Sequence, residues 1–343
     1  MRSVFPDIQA NKPILVTGSH RSGTTWVGQM LSANTETSYI FEPFNIKNVG
    51  SYHKYPLKHW QTYIGGLDTS SQNQLLNALA ECFSFRYQPE LTTDHAWHFA
   101  ARLKFQRSWE NLQKRALRLR PLSKDPIALF SAPVLAEVFG MQVVCMIRHP
   151  LAFVSSIKKW QWTYPFEHFI EQPNLIDDLF PEERSRIEQF AATEHSYVGQ
   201  ATLLWILFHK VIKRYQEEHP EWLFKRHEDL VLNPLTEYKQ LYRHLNLSFT
   251  NQAIDAITNF TDQSGTTSIK QEDTSSPSFK KRNSTQILYS WQQRLDAEET
   301  EYVLEQTGDL RTHFYPDPTL MDEARTRRAT EESDRHRLAT AMR

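Results

Sequence analysis

Gly18-Ser19-His20-Arg21-Ser22-Gly23-Thr24-Thr25 stands between two apolar runs of different period. Before it, Pro13-Ile14-Leu15-Val16-Thr17 is short and continuously apolar, which reads as a buried parallel strand. After it, Trp26, Val27, Met30 and Leu31 recur at helical spacing. Only ten glycines occur in 343 residues, under half the usual share of ~7%, yet two of them bracket this loop. A strand, a glycine loop and a helix in that order leave few folds open. Amides converge in such a loop, and the helix N-terminus adds partial positive charge, so the unit suits a phosphate.

The loop has the G-x-x-x-x-G frame of a P-loop but departs from the nucleotide-hydrolysing pattern at one position. Thr24 stands where those enzymes carry lysine, and the cation is Arg21, three places earlier. The lysine–hydroxyl pair that handles a triphosphate with Mg²⁺ is therefore missing. A metal-dependent kinase or NTPase and a non-catalytic nucleotide-binding protein remain open as alternatives to a different transferase. The formal net charge is -1, so no overall basic field would hold a nucleic acid, and phosphate affinity must be local.

Further strands are expected at Thr37 to Phe41, at Gln142 to Ile147 and around Trp222-Leu223-Phe224. Helices are expected from about Pro126 through Val138, after Pro150 through Trp160, from roughly Ser185 to Glu218, after Asn233-Pro234, and from Tyr289 to Thr307, with a loop over 262–286. Strands alternating with helices predict an α/β fold: a P-loop-type central parallel sheet flanked by helices, with helical insertions. A single domain over 1–320 with a charged tail over 321–343 is the expected organisation. No stretch approaches the ~20 apolar residues of a membrane helix. Met1 to Pro13 lacks the apolar core of a secretory signal. Two cysteines, Cys82 and Cys145, describe no disulfide framework and a reducing, cytoplasmic setting. Asp94-His95 with His98 has a metal-like spacing, but 14 scattered histidines produce such pairs by chance, and no metal is expected.

Arg21-Ser22-Gly23-Thr24-Thr25-Trp26 resembles the 5′-phosphosulfate loop of sulfotransferases that use 3′-phosphoadenosine 5′-phosphosulfate (PAPS). A second signature of that family is an apolar strand followed by an arginine and, eight places on, a serine; here these are Val143 to Ile147, Arg148 and Ser156. The resemblance implies that Gly18, His20, Arg21, Ser22, Gly23, Thr24, Thr25 and Trp26 hold the 5′ end of the donor, and that Arg148 and Ser156 hold its 3′-phosphate. An arginine at a strand's C-terminal end suits that task, since α/β folds bind ligands there and a guanidinium grips phosphate through two N–H groups. Ser155 is an alternative to Ser156. Lys124-Asp125-Pro126 is similar to a segment of the tyrosylprotein and carbohydrate branches, where the lysine meets the sulfuryl group. Arg226-His227-Glu228-Asp229-Leu230 resembles the family's Tyr-Glu-Asp-Leu segment, with His227 where tyrosine is frequent. Lys280-Lys281-Arg282 resembles a late basic loop, which implies Lys281 and Arg282 as further partners of the 3′-phosphate.

The resemblance implies sulfuryl transfer to a hydroxyl of a glycan, lipid or small-molecule acceptor. Arg21 and Lys124 are then the cations at the reacting group, and no metal takes part. A hydroxyl acceptor benefits from a base. Glu42 follows the second expected strand, 21 positions after Arg21, the separation of the glutamate base in tyrosylprotein sulfotransferases. His20 is the competing base. The segments 44–120 and 161–200, rich in aromatic residues, are expected to supply the acceptor pocket.

Overall fold

In the computed structural model the described residues are 5–48, 52–87, 97–261 and 288–317, with the backbone alone described at 48 and 97–105. Lys281, Arg282, Asp94, His95, the 262–286 segment and the 321–343 tail fall outside them, as does the side chain of His98. Among the described residues five strands, β1 (Ile14–Gly18), β2 (Thr37–Phe41), β3 (Arg120–Lys124), β4 (Gln142–Ile147) and β5 (Leu223–Arg226), form one sheet in the order β2-β3-β1-β4-β5. Every neighbouring pair is parallel.

The strands are apolar on both faces because helices cover both. Leu15, Ile40, Val143, Cys145 and Ile147 point into one buried cluster. Ile14, Val16, Leu122, Val144 and Met146 point into the other. This alternation is the period-two geometry of a strand buried from both sides. The Tyr197–Glu218 helix, carrying Trp205, Leu207 and Phe208, packs on the first face with the Pro150–Lys159 helix. The Thr24–Leu31 helix and the Pro234–His244 helix pack on the second.

Four differences from the sequence reading matter. No strand was expected at 120–124, yet β3 lies between β2 and β1. Arg-Pro-Leu-Ser-Lys has no apolar run; its membership comes from pairing on both sides, with Leu122 matched to Ile14 and Tyr39. The segment Ser185 to Glu218 is two helices, Arg184–Ala192 and Tyr197–Glu218. Thr193 is extended, and the Ser196 side chain accepts from the Gly199 amide, which starts the second helix afresh. Likewise Pro126–Ser131 is 3₁₀ before the Ala132–Phe139 helix. Helical structure in the 289–307 segment is interrupted: Asp296 opens a helix over Ala297–Phe314 with a reciprocal cap to Glu299.

Register decides where the chemistry sits. Val16 pairs with Lys124 and Val144, Gly18 with Met146, Phe41 with Lys124, and Ile147 with Arg226. The last residues of all five strands therefore share one edge. The phosphate-type loop, Glu42, Lys124, Arg148 and His227 all leave the sheet there.

Candidate active site

The loop after β1 turns on its glycines. Gly18 has φ +128°, and a Cβ there would lie 2.6 Å from the Met146 nitrogen. Gly23 has φ +91°, and a Cβ there would lie 2.5 Å from His227 Nδ1. Both positions therefore require glycine, for backbone conformation and for close approach. The Ser22 hydroxyl donates to the Ser19 carbonyl at 2.6 Å and tightens the turn. Gly23 precedes the Thr24–Leu31 helix without any side-chain cap, so the first-turn amides present their donors and the dipole end together. Thr24 is buried, and the buried hydroxyls of Thr17 and Ser19 have no hydrogen-bond partner among the described residues. Buried polar groups are ordinarily satisfied; orphaned hydroxyls beside an uncapped helix start fit an anionic ligand.

Arg21, also at positive φ (+59°), is the exposed tip of the loop. Its Nε donates to Ser156 Oγ at 3.0 Å. Arg148 Nη1 donates to the Arg21 carbonyl, and Trp205 Nε1 donates to the Arg148 carbonyl at 2.8 Å. The end of β4, the loop and the Pro150–Lys159 helix are thus tied at one point. Ser155 Oγ bonds instead to the Ala152 carbonyl of its own helix, so Ser156 is the serine that meets Arg21. Burial lowers the Arg148 guanidinium to about 10, against the attraction of Glu228, which leaves it cationic at neutral pH. Its Nε is buried without a hydrogen-bond partner among the described residues. Behind it, Glu228 accepts from the His149 amide at 3.2 Å and from the Tyr315 hydroxyl at 2.7 Å. Asp229 pairs with Arg226 through two bonds of 2.7 and 2.8 Å, so this pair is engaged away from the loop.

His227 packs against the loop at Gly23 and edge-on to Trp26, 5.7 Å between ring centres. Trp26 itself is buried against Tyr238 and Phe260 beneath the loop. The His227 ring is buried, and the Ser22 backbone of the loop interacts with it.

Lys124 and Glu42 form the second half of the site. The Lys124 ammonium pairs with Glu42 Oε1 and lies 3.8 Å from the centre of the Phe41 ring. The lysine side chain is 1% exposed. Burial pulls its pKa below the ordinary range, while the Glu42 charge raises it. Gly28 makes room for it, since a Cβ there would lie 3.1 Å from Lys124 Cβ. Glu42 Oε2 accepts from Asn45 Nδ2 at 2.7 Å.

His20 lies on the side of the loop that faces Gln61 and Trp162. The segments 44–120 and 161–200 meet there: Gln61 Nε2 approaches its ring nitrogens at 3.3 and 3.4 Å, and the Trp162 ring centre lies 5.2 Å away. Tyr164 donates its hydroxyl to Gln61 Oε1. Burial, reinforced by the Lys124 and Arg21 charges, lowers the imidazole to about 3. It is neutral at pH 7 and a far weaker proton acceptor than an ordinary histidine.

This reluctance to protonate is shared. Burial also lowers His149 and His209 to about 3 and His227 well below its ordinary value. A depressed folded-state pKa gives stability that is present above the unfolded value of ~6.5 and lost as pH falls toward the folded value. Each of the three fully buried rings removes up to about 1.4 kcal/mol per pH unit in that window. Asp125, raised to about 7, and Glu228, also raised, act in the opposite direction. The histidines outnumber them, so the melting temperature is expected to fall steeply between pH 6 and pH 4. A thermal melt series that stayed flat or rose over that range would contradict these assignments.

Asp125 enters the sequence reading only as part of Lys124-Asp125-Pro126, with no role of its own, and Asn45, Gln61 and Tyr164 do not enter it. Asp125 carries a signal in retrospect, as an acid between a strand-end lysine and a proline. Gln61 carries none, since its place depends on a fold of the 44–120 segment that no periodicity shows. Among the described residues no group of three or more His, Cys, Asp or Glu side chains could hold a metal ion, and no helix is long and apolar enough to cross a membrane.

Comparison with known proteins gives the site its context. No curated protein matches the chain. Among solved structures, the sulfotransferase domain of the Synechococcus PCC 7002 olefin synthase shares 15% identity, with a TM-score of 0.46, over 89% of this chain and 95% of that one. The sulfotransferase domain from the curacin biosynthetic pathway shares 16%, with a TM-score of 0.46, over 89% and 98%. Sulfotransferase STF1 from Mycobacterium tuberculosis H37Rv shares 17%, with a TM-score of 0.37, over 74% and 73%. The profile of the Sulfotransferase family matches residues 13–251, a span that runs from β1 past β5 and takes in the loop, Glu42, Lys124, Arg148 and Ser156. By that match the chain belongs to the sulfotransferase family.

Proposed function

We propose that this sulfotransferase moves a sulfuryl group from PAPS to a hydroxyl of a glycan, lipid or small-molecule acceptor, with Glu42 as general base. One observation carries the reading. The Arg148–Arg21–Ser156 linkage and the Lys124–Glu42 pair leave the same sheet edge, so anion-binding and proton-accepting groups share one site. The loop amides, Arg21, Thr24 and Thr25 serve the 5′ end of the donor, and Arg148 with Ser156 its 3′-phosphate. Lys281 and Arg282 belong to the proposal as further 3′-phosphate partners.

In the reaction, the acceptor oxygen forms a bond to sulfur and gives its proton to a Glu42 carboxylate oxygen. The bond between sulfur and the bridging oxygen of the 5′-phosphate breaks, and that oxygen keeps the electron pair. Such transfers pass through a loose, nearly planar state, so fixed cations beside the leaving and equatorial oxygens lower the barrier. Arg21 and Lys124 are those cations. His20 is kept neutral and serves the acceptor side in preference to the proton transfer. The setting is cytoplasmic, in keeping with two buried free cysteines.

The test is transfer of a labelled sulfuryl group from PAPS across a panel of hydroxyl acceptors. Labelled product is expected with at least one of them; the absence of transfer to any, from protein that binds the desulfated donor, would leave a nucleotide-binding protein without this activity. Arg148→Ala is expected to weaken binding of 3′-phosphoadenosine 5′-phosphate by roughly 10- to 100-fold, as loss of a charge-assisted contact costs ~1.5–3 kcal/mol. Titration calorimetry reads this directly. Unchanged affinity in the variant would remove Arg148 from the donor site.

A further inference from the structure

Glu42 sits in a backbone conformation that a residue with a Cβ avoids. Its φ is +49°, a left-handed value costing roughly 1–2 kcal/mol for a non-glycine residue. Such outliers persist only where the surroundings over-determine them, and they cluster at functional positions. The surroundings here are specific. Glu42 opens a turn closed by the Asn45 amide donating to the Glu42 carbonyl at 3.1 Å, with Pro43 fixing the first central position. The Glu42 amide donates to the Lys124 carbonyl at 2.9 Å. The Phe44 amide points into the protein and donates to Asp125 Oδ2 at 2.7 Å. On the far side, His53 Nε2 meets the Pro43 carbonyl at 2.8 Å.

We propose that Asp125 is a positioning residue for the Glu42 base: through the Phe44 amide it fixes the turn that aims the Glu42 carboxylate at Lys124. This rests on the reading of Glu42 as the base. Lys124 and Asp125 grip the turn as one unit, the lysine by its carbonyl and ammonium, the aspartate by its carboxylate. Asp125 is itself anchored, because its amide donates to the Val16 carbonyl at 2.9 Å, next to the strand end that carries the loop. Its side chain is fully buried. Burial and the Glu42 charge favour the protonated acid, yet two backbone amides, Phe44 and Ile127, are spent on it. A hydrophobic residue would fill the space without that electrostatic cost.

The competing structural role is plain. Asp125 Oδ1 also accepts from the Ile127 amide at 3.0 Å and caps the 3₁₀ turn Pro126–Ser131. Asp125→Ser separates the two roles, since a serine caps the turn but has one oxygen and cannot also hold Phe44. The variant is measured alone and in the Glu42→Gln background, by sulfuryl transfer to the acceptor selected from the panel and by binding of 3′-phosphoadenosine 5′-phosphate. Expected are a kcat lowered about 10- to 100-fold, the range for partners that orient an active group, an unchanged donor KM, and product-nucleotide affinity within about twofold of the parent. In the Glu42→Gln background the same substitution is expected to have almost no further effect on kcat, because the group it positions is already disabled. A parental kcat in Asp125→Ser, or an equal loss in both backgrounds, would overturn the proposal. If Glu42→Gln alone kept full activity, the base assignment would fail, and with it the use of the turn in catalysis. Should Asp125→Ser not fold, the Phe44 amide of the parent protein decides, read by NMR with ¹⁵N-phenylalanine. A Phe44 amide protected from hydrogen exchange, as a buried donor to the Asp125 carboxylate must be, supports the clamp, and one that exchanges as fast as an exposed loop amide overturns it.

Discussion

Glu42→Gln is expected to lower kcat by about 10²- to 10⁴-fold, the usual contribution of a positioned base, while binding of 3′-phosphoadenosine 5′-phosphate stays at the parent level. The reason is local. Glutamine keeps the size of the side chain and an oxygen able to face Lys124 or Asn45, so the turn over 42–45 is retained. It removes the charge and the capacity to take a proton from a hydroxyl. The residues proposed to hold the donor, Arg21, Ser156 and Arg148, are bonded to one another elsewhere on the edge. Steady-state kinetics against acceptor, with calorimetry on the same protein, check both halves. Full activity at every pH would move the base away from Glu42, and the low basicity of His20 makes it a poor replacement.

Arg21→Ala is expected to lower kcat by about 10²- to 10³-fold, the range seen when one fixed donor to a developing negative charge is removed. The side chain is oriented by Ser156 Oγ at 3.0 Å, and its backbone carbonyl is where Arg148 is tied. Alanine keeps the carbonyl and loses the guanidinium, so the Arg148 anchor survives while the cation at the loop tip does not. Alanine also keeps the penalty of φ +59°, which makes Arg21→Gly a useful control for strain. Both variants are expected to show the same deficit in turnover. Recovery of activity in the glycine variant alone would assign the loss to backbone strain and not to the missing cation.

Much of this was legible in the chain. The strand–loop–helix opening, the alternation of strands with helices and the two arginines follow from residues whose local signals agree with the fold. Ile14 to Thr17 and Val143 to Ile147 are apolar runs because both faces of the sheet are covered, and that pattern is readable without coordinates of any neighbour. β3 was not legible, because Arg120, Pro121 and Lys124 carry no strand signal; their place is set by β1 and β2 on either side. Which of Ser155 and Ser156 faces the loop depends on helix rotation, which the sequence does not give; Ser156 is the one that meets Arg21. Roles for Asp125 and Asn45 are not legible for a related reason. Their partners, the Phe44 amide and the Glu42 carboxylate, come close only when β2 and β3 pair in register.

The two guanidinium groups are proposed to hold opposite ends of one adenosine bisphosphate, and calorimetric competition on the parent protein tests that claim most directly. 3′-Phosphoadenosine 5′-phosphate is expected to bind at least about tenfold more tightly than adenosine 5′-phosphate or ATP with Mg²⁺, since only it offers Arg148 a phosphate while filling the loop. Equal affinity for the three, or tighter binding of ATP with Mg²⁺, would contradict it.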